Sequence, residues 1–202
     1  MPIQLLGEKP PFFHGNGAFA LAHPLLPTRQ AFDSKETDMT VDALPSARKP
    51  LTTSQAVLFG TLTVGTLDIL DAFIFNGVRS GVNPGRILQF IASGLLGQES
   101  FDGGAATKAL GLLLHFFIAF VAVTLYILAS RRLPILAQRP FVFGPLYGLL
   151  VFVIMDKLVV PLSAVTRAAG PRPLVVDVNQ WLIHAFGIGL VTALFARAAR
   201  RS

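Results

Sequence analysis

Four apolar segments in this sequence each have the length that crosses a lipid bilayer. They run from Ala56 to Phe75, from Ala109 to Ala129, from Phe141 to Ser163 and from Asn179 to Ala196. Because a helix needs about 20 apolar residues to span a hydrocarbon core of roughly 30 Å, each segment predicts one transmembrane helix. The sequence therefore predicts an all-α membrane protein whose main partner is the lipid bilayer.

The composition agrees with a membrane protein. Of the 202 residues, 52% are hydrophobic and only 14% are charged, and the mean hydropathy is +0.61. A soluble domain carries about 25% charged residues, so a separate soluble catalytic domain is excluded. The pI near 10.3 does not indicate nucleic-acid binding, because the basic residues lie in loops between apolar segments rather than on a soluble face.

A fifth apolar run, RILQFIASGLLG, lies between the first two segments and is too short to cross. A helix over residues 87–97 spans only about 16 Å. Asn83 predicts the N-cap, Pro84 the first helical residue and Gly97 the end. Its apolar residues share one face, opposite two polar ones: Ile87, Phe90, Ile91 and Leu95 against Gln89 and Ser93. We expect a short helix that lies in the outer interface or dips into it, with a re-entrant element of a conduction path as the alternative.

Residues 1–50 differ in composition from the rest of the chain. They contain 7 of the 14 prolines, five acids and five bases, and no long apolar run. Such a segment is predicted to be disordered. Met39 offers a second start, directly before a short polar lead, so that residues 1–38 are alternatively an artefact of start-site choice. Residues 51–202 form the four-helix transmembrane domain.

The basic residues favour one orientation of the four spans. An even number of spans places eight bases on one side and five on the other. The eight are Arg48, Lys49, Arg131, Arg132, Arg139, Arg197, Arg200 and Arg201; the five are Arg79, Arg86, Lys108, Arg167 and Arg172. Since the more basic side of a membrane protein faces the cytoplasm, both termini are predicted to be cytoplasmic.

Ionisable side chains inside the four spans are the candidate functional residues, because charge in a bilayer is costly. They are Asp68, Asp71, His115, Asp156, Lys157 and His184, and we call them the polar layer. A rise of about 1.5 Å per residue places all six roughly 7–13 Å below the outer surface. Pro161 removes the hydrogen bond to the carbonyl of Lys157 and predicts a bend beside these residues.

Three interpretations of the polar layer remain open. In the structural one, Asp68 accepts hydrogen bonds from a neighbouring helix, the two histidines are neutral and hydrogen-bonded, and Lys157 extends to the outer surface. In the second, aligned acids and histidines relay protons or a small solute across the membrane. In the third, His115 and His184 bind haem, or the histidines and acids bind a divalent metal, although no metal-binding spacing is present. A structural partner of a larger membrane complex is a further alternative.

Small residues predict close helix contacts in the last two spans. Gly144 and Gly148 are four residues apart in the third span, and Ala185, Gly189 and Ala193 form a similar row in the fourth. Such rows let two helix backbones approach closely, so either one is suited to a homodimer contact.

Motifs of enzymes and cofactor proteins are absent from the chain. There is no cysteine, no GxSxG elbow, no phosphate loop and no dinucleotide fingerprint. We therefore expect no enzymatic activity and no resident cofactor. Trp181 and Tyr126 are predicted as anchors at opposite membrane interfaces.

Several strings carry a resemblance to a known group of proteins. RILQFIASGLLG, GGAATKALGLLLHFFIAF, SRRLP, GPLYG and VVPLSA occur in this order over residues 55–200. In this the chain resembles a group of small, uncharacterised bacterial inner-membrane proteins with four spans. The resemblance implies a bacterial inner-membrane location and favours the start at Met39. It implies no activity and no site residues.

Overall fold

The computed structural model describes residues 51–166 and 170–200 of the protein. Four helices there are long and apolar enough to cross a membrane, which confirms the predicted class. In chain order the helices are α1 (Thr53–Ser80), α2 (Pro84–Leu96), α3 (Gly104–Arg132), α4 (Ile135–Gln138), α5 (Pro140–Leu162) and α6 (Leu174–Ala199). The expectations for residues 1–50, for Arg167 and for Arg201 lie outside the described residues.

The spans begin and end on local capping signals a few residues beyond the apolar segments. At the start of α1, the Thr52 hydroxyl accepts from the Gln55 amide at 3.2 Å, and the Gln55 side chain accepts from the Thr52 amide at 3.0 Å. This capping box satisfies two amides that the first turn leaves without partners. At the other end, Gly81 takes a left-handed conformation with φ of 66°, which glycine adopts at little cost.

The short helix α2 packs its polar face against the protein and turns its apolar face outward. The Asn83 side chain caps it, and a short 3-10 helix, Gly97–Phe101, follows. Gln89 is buried and donates to the carbonyl oxygen of Phe101 at 3.2 Å, whereas Leu95 is 63% exposed. This arrangement, polar inside and apolar outside, is the one expected where lipid rather than water surrounds the helix.

The two ends of the helices differ in charge, and we name them accordingly. The arginine-rich end is where α1 and α5 begin and α3 and α6 end; the α2 end is the opposite one. α1 packs against α3 and α6, and α5 packs mainly against α6. Toward the arginine-rich end the core is apolar and tightly buried, with these residues at its centre: Ala56, Val64, Val123, Tyr126, Ile127, Ile188, Ala193 and Ala196.

Tyr126 is not the interfacial anchor that we predicted. Its side chain is 2% exposed, and its hydroxyl donates to the carbonyl oxygen of Leu136 at 2.9 Å. The hydrogen bond satisfies the phenol inside the protein, so Tyr126 needs no contact with the interface. Trp181, by contrast, is 46% exposed near the α2 end.

The two rows of small residues face each other within one chain. A Cβ on Gly148 would overlap the carbonyl oxygen of His184, and one on Gly189 would overlap the carbonyl oxygen of Gly144. The Ala193 side chain lies 3.0 Å from the position of a Cβ on Gly144. Since α5 and α6 use both rows for their own contact, neither row is free to join two copies.

Two segments of the spans are π-helical rather than α-helical. They are Met155–Val159 in α5 and Ile183–Leu190 in α6. In the first, the Val160 amide donates to the carbonyl of Met155, five residues back, directly before the proline at position 161. Together the two segments contain Asp156, Lys157 and His184, and π-helical turns within α-helices occur frequently at functional sites.

Candidate functional site

The structure divides the polar layer into two groups. The first, which we call the Asp68 group, joins Asp68 and Asp71 of α1 to His115 of α3 and His184 of α6. The second, the Asp156 group, consists of Asp156 and Lys157 of α5 with Arg172 and Asp177 from the segment around the start of α6. The six predicted residues therefore do not form one site.

At the centre of the Asp68 group, His115 faces Asp68 across the contact between α1 and α3. The Nε2 atom of His115 lies 2.8 Å from the carbonyl oxygen of Gly65. Because a carbonyl only accepts, this nitrogen carries a proton, and the Nδ1 atom of a neutral His115 is an acceptor. Nδ1 lies 3.9 Å from Oδ2 of Asp68, and the two side chains are 10% and 28% exposed. A proton on either group makes this contact favourable.

His184 approaches the same carboxylate from α6. Its Nδ1 atom donates to the carbonyl oxygen of Gln180 at 2.9 Å, which leaves Nε2 as the acceptor of the neutral ring. Asp68 lies within electrostatic range of His184 and of Asp71. Two imidazole rings from two helices thus interact electrostatically with one carboxylate, and the ring of His115 contacts it.

Asp71 extends the group toward the α2 end. The amide of Asn179 donates to Oδ2 of Asp71 at 2.8 Å and links α1 to α6. In the sequence, Asn179 is recognisable only as the first residue of the fourth apolar segment. The signal that was missed is depth: Asn179, a polar residue at the end of one span, lies at the same level as Asp71 on a neighbouring helix.

The Asp156 group is a network of ion pairs. Asp156 is 5% exposed and lies 2.8 Å from Arg172 and 2.9 Å from Lys157, while Arg172 also lies 2.9 Å from Asp177. Lys157 extends outward, with its side chain 73% exposed. Permanently charged bases neutralise this carboxylate, so it is suited to joining α5 to the segment before α6. Nothing in the linear sequence pairs Arg172 with α5.

Phe152 lies between the two groups. Its ring contacts the ring of His184 edge to face, with centroids 5.3 Å apart, and the guanidinium of Arg172 lies 5.8 Å from its centroid. An aromatic ring at this position separates the permanent charges of the Asp156 group from the titratable Asp68 group.

On the other side of the Asp68 group, the polar surroundings end within two helical turns. Thr61 lies seven residues before Asp68 on α1, and its buried hydroxyl has no hydrogen-bond partner among the described residues. On this same side of the Asp68 group, the core side chains Val64, Val123 and Ile127 are almost completely buried. The Asp68 group is therefore closed toward the arginine-rich end.

The metal and haem interpretations receive no support from the geometry. Within residues 51–166 and 170–200, no three histidine or acidic side chains converge as metal ligands do. Each histidine also commits one ring nitrogen to a backbone carbonyl, and the other nitrogen of His115 faces Asp68. A haem bound through Nδ1 of His115 would have to displace that carboxylate.

Comparisons of the chain with protein-family models, with curated proteins and with solved structures give no match. The class therefore follows from the helices themselves: the protein is a multi-pass integral membrane protein.

Proposed function

We propose that the protein moves protons across the membrane through the Asp68 group. One observation carries the proposal: the carbonyl of Gly65 occupies Nε2 of His115, so that Nδ1 faces the carboxylate of Asp68 at 3.9 Å. The imidazole nitrogen and the carboxylate are both proton acceptors, and both are partly buried. A proton shared between them stabilises the contact, whereas without it two acceptors face each other. An arrangement of this kind takes up and releases a proton.

The contrast between the two groups supports this role. Asp156 is paired with Arg172 and Lys157, whose charges are permanent, whereas no lysine or arginine in the described part of the chain contacts Asp68. Imidazoles change charge near neutral pH, and ionisable residues inside spans commonly form proton relays. The π-helical segment that carries His184 adds a local geometry common at functional sites.

Transport also requires access from both sides of the membrane. In this form the Asp68 group continues to the α2 end through Asp71 and Asn179, and the core around Val64 and Val123 closes the arginine-rich end. A proton crosses only when these helices separate enough to admit water. Proton movement would therefore alternate with opening of the core.

The decisive variant is Asp68→Asn, which keeps the shape of the side chain and removes its charge. The full chain is reconstituted in vesicles with a pH-sensitive dye, and a potassium diffusion potential drives proton entry. The wild type should acidify the vesicles, and Asp68→Asn should lower the rate at least about a hundredfold, as expected for loss of a proton-transfer group. The matched control is Asp102→Asn, an exposed acid outside the spans, which should keep the wild-type rate.

Thermal unfolding of the variants in detergent separates function from folding. Asp68→Asn should unfold cooperatively and keep the elution volume of the wild type. Wild-type vesicles that acidify no faster than protein-free vesicles contradict the proposal, as does full activity of a folded Asp68→Asn protein.

We also propose that the protein resides in a bacterial inner membrane with both termini in the cytoplasm. The support is the excess of basic residues at the arginine-rich end together with the resemblance described above. In this orientation the Asp68 group lies in the outer half of the membrane.

A further inference from the structure

An apolar groove separates α3 from α5, away from the Asp68 group. Its volume is about 730 Å³, and only apolar and tyrosine side chains line it, among them Phe117, Val121, Leu125, Ala129, Phe143, Leu146, Tyr147, Leu150 and Ile154. The Tyr147 hydroxyl donates to the carbonyl oxygen of Ala122 at 2.6 Å and closes the groove floor. The tyrosine hydroxyl at the groove floor thus has a hydrogen-bond partner, and the open side of the groove exposes apolar side chains.

Both walls of the groove end in an arginine at the same end of the molecule. On α3, Val121, Leu125 and Ala129 recur every four residues, and Arg132 follows on the same face three residues later. On α5, Phe143, Leu146 and Leu150 share a face, and Arg139 precedes Phe143 by four residues.

These two arginines are available for a ligand. Arg132 and Arg139 are exposed, and neither has an acidic partner among the residues that the structure describes. Arg131 differs, because its guanidinium donates to the hydroxyl of Thr53 at 2.7 Å. The apolar groove therefore leads to two guanidinium groups that have no acidic partner in residues 51–166 and 170–200.

We propose that the groove binds one anionic phospholipid, with an acyl chain along α3 and α5 and the phosphate at Arg132 and Arg139. From Phe117 to Ala129 the α3 wall is about 18 Å long, close to the roughly 15 Å depth of one leaflet. Guanidinium groups bind phosphate through paired hydrogen bonds, and basic pockets between transmembrane helices select anionic lipids.

The charges at this end favour a lipid over a second copy of the chain. In the described residues the arginine-rich end carries Arg131, Arg132, Arg139, Arg197 and Arg200 and no acid. A parallel second copy in the groove would bring these like charges together. An anionic lipid brings the opposite charge, and a zwitterionic lipid adds an ammonium group beside the arginines.

Native mass spectrometry of the full chain tests the proposal with phosphatidylglycerol and phosphatidylcholine added in equal amounts. The wild type should retain one phosphatidylglycerol in preference to phosphatidylcholine. At about 1 kcal/mol per basic residue, the double variant R132Q/R139Q should lose roughly thirtyfold in affinity for phosphatidylglycerol. The matched control R79Q/K108Q removes the same charge at the α2 end and should bind as the wild type does.

A second variant tests the groove without changing charge. Ala129→Phe places a ring in the apolar part and should weaken retention of both lipids, while R132Q/R139Q weakens only the anionic one. Equal retention of the two lipids by the wild type would refute the proposal, and so would unchanged binding by R132Q/R139Q. A lipid-free dimer of the wild type would assign the groove to a second copy instead.

Discussion

At the scale of single residues, neighbours decide what a carboxylate in a span does. Asp68 and Asp156 carry the same side chain, and the sequence predicts a similar depth in the membrane for both. Asp156 contacts a guanidinium and an ammonium, whereas Asp68 contacts an imidazole. A carboxylate between two bases is neutralised by them, whereas a carboxylate facing an imidazole acceptor gains a favourable contact only when one of the two groups holds a proton. The same side chain therefore has different electrostatic surroundings at the two positions.

Gly148 gives a prediction at this scale. Gly148→Ala should destabilise the protein by at least about 1–3 kcal/mol, because the added Cβ meets the backbone of His184, which does not move as a side-chain tip does. The measurement is reversible unfolding in mixed detergent.

The matched control is Gly94→Ala in α2. Its added Cβ would lie 4.0 Å from the nearest atom, the Cβ of Ser163, which is an ordinary contact distance. Alanine has a higher helix propensity than glycine, so this variant should not be destabilised. If the two variants unfold alike, close backbone contact is not what Gly148 provides.

At the scale of helices, side-chain ion pairs hold the α2 end of α5 against the segment before α6. Asp156 lies in the π-helical turn of α5, and Arg172 lies just before Leu174, where α6 begins. After the end of α5, the amide of Ala164 donates to the carbonyl of Gly94 in α2 at 3.0 Å. Together these bonds connect α2, α5 and α6 at the α2 end.

Loss of Asp156 should therefore cost more than loss of Lys157. Asp156→Asn removes the charge of a carboxylate that is 5% exposed and contacts two bases. This change should destabilise the protein by about 1–3 kcal/mol. Lys157→Gln removes an exposed partner and should cost about 1 kcal/mol or less. Unfolding of both variants and of the double variant measures the difference; a larger loss for Lys157→Gln would contradict the buried network.

At the scale of the whole molecule, the arginines have two consequences. They favour one orientation in the membrane, and on the groove between α3 and α5 they create the site that we assign to an anionic lipid. Both follow from the same physical fact, since basic residues are attracted to anionic lipid headgroups.

Orientation is testable because the chain contains no cysteine. Single-cysteine variants Gln98→Cys and Gln138→Cys place a thiol at exposed positions on opposite ends. A membrane-impermeant maleimide should label Gln98→Cys in intact cells and Gln138→Cys only after permeabilisation. The reverse pattern would refute the proposed orientation.

The spans and the short helix were predictable because their signals are local. Hydropathy located all four spans, and Asn83, Pro84 and Gly97 marked the ends of α2. Tyr126 was predicted wrongly because its partner, the carbonyl of Leu136, belongs to the short helix α4 that follows α3 rather than to the membrane interface. The pairing of Arg172 with Asp156 had no local signal either.

The sequence by itself determined that this chain is a membrane protein with four spans, because transfer of apolar helices into lipid depends on composition and length alone. It also singled out six ionisable residues in the apolar segments as candidate functional residues. Only the tertiary structure decided that these residues form two groups. Asp68 lies beside histidine rings, and Asp156 lies beside an arginine and a lysine. The physical reason is that the rotation and contact of neighbouring helices set the partners of a charge, and neither is encoded in the hydropathy of one helix.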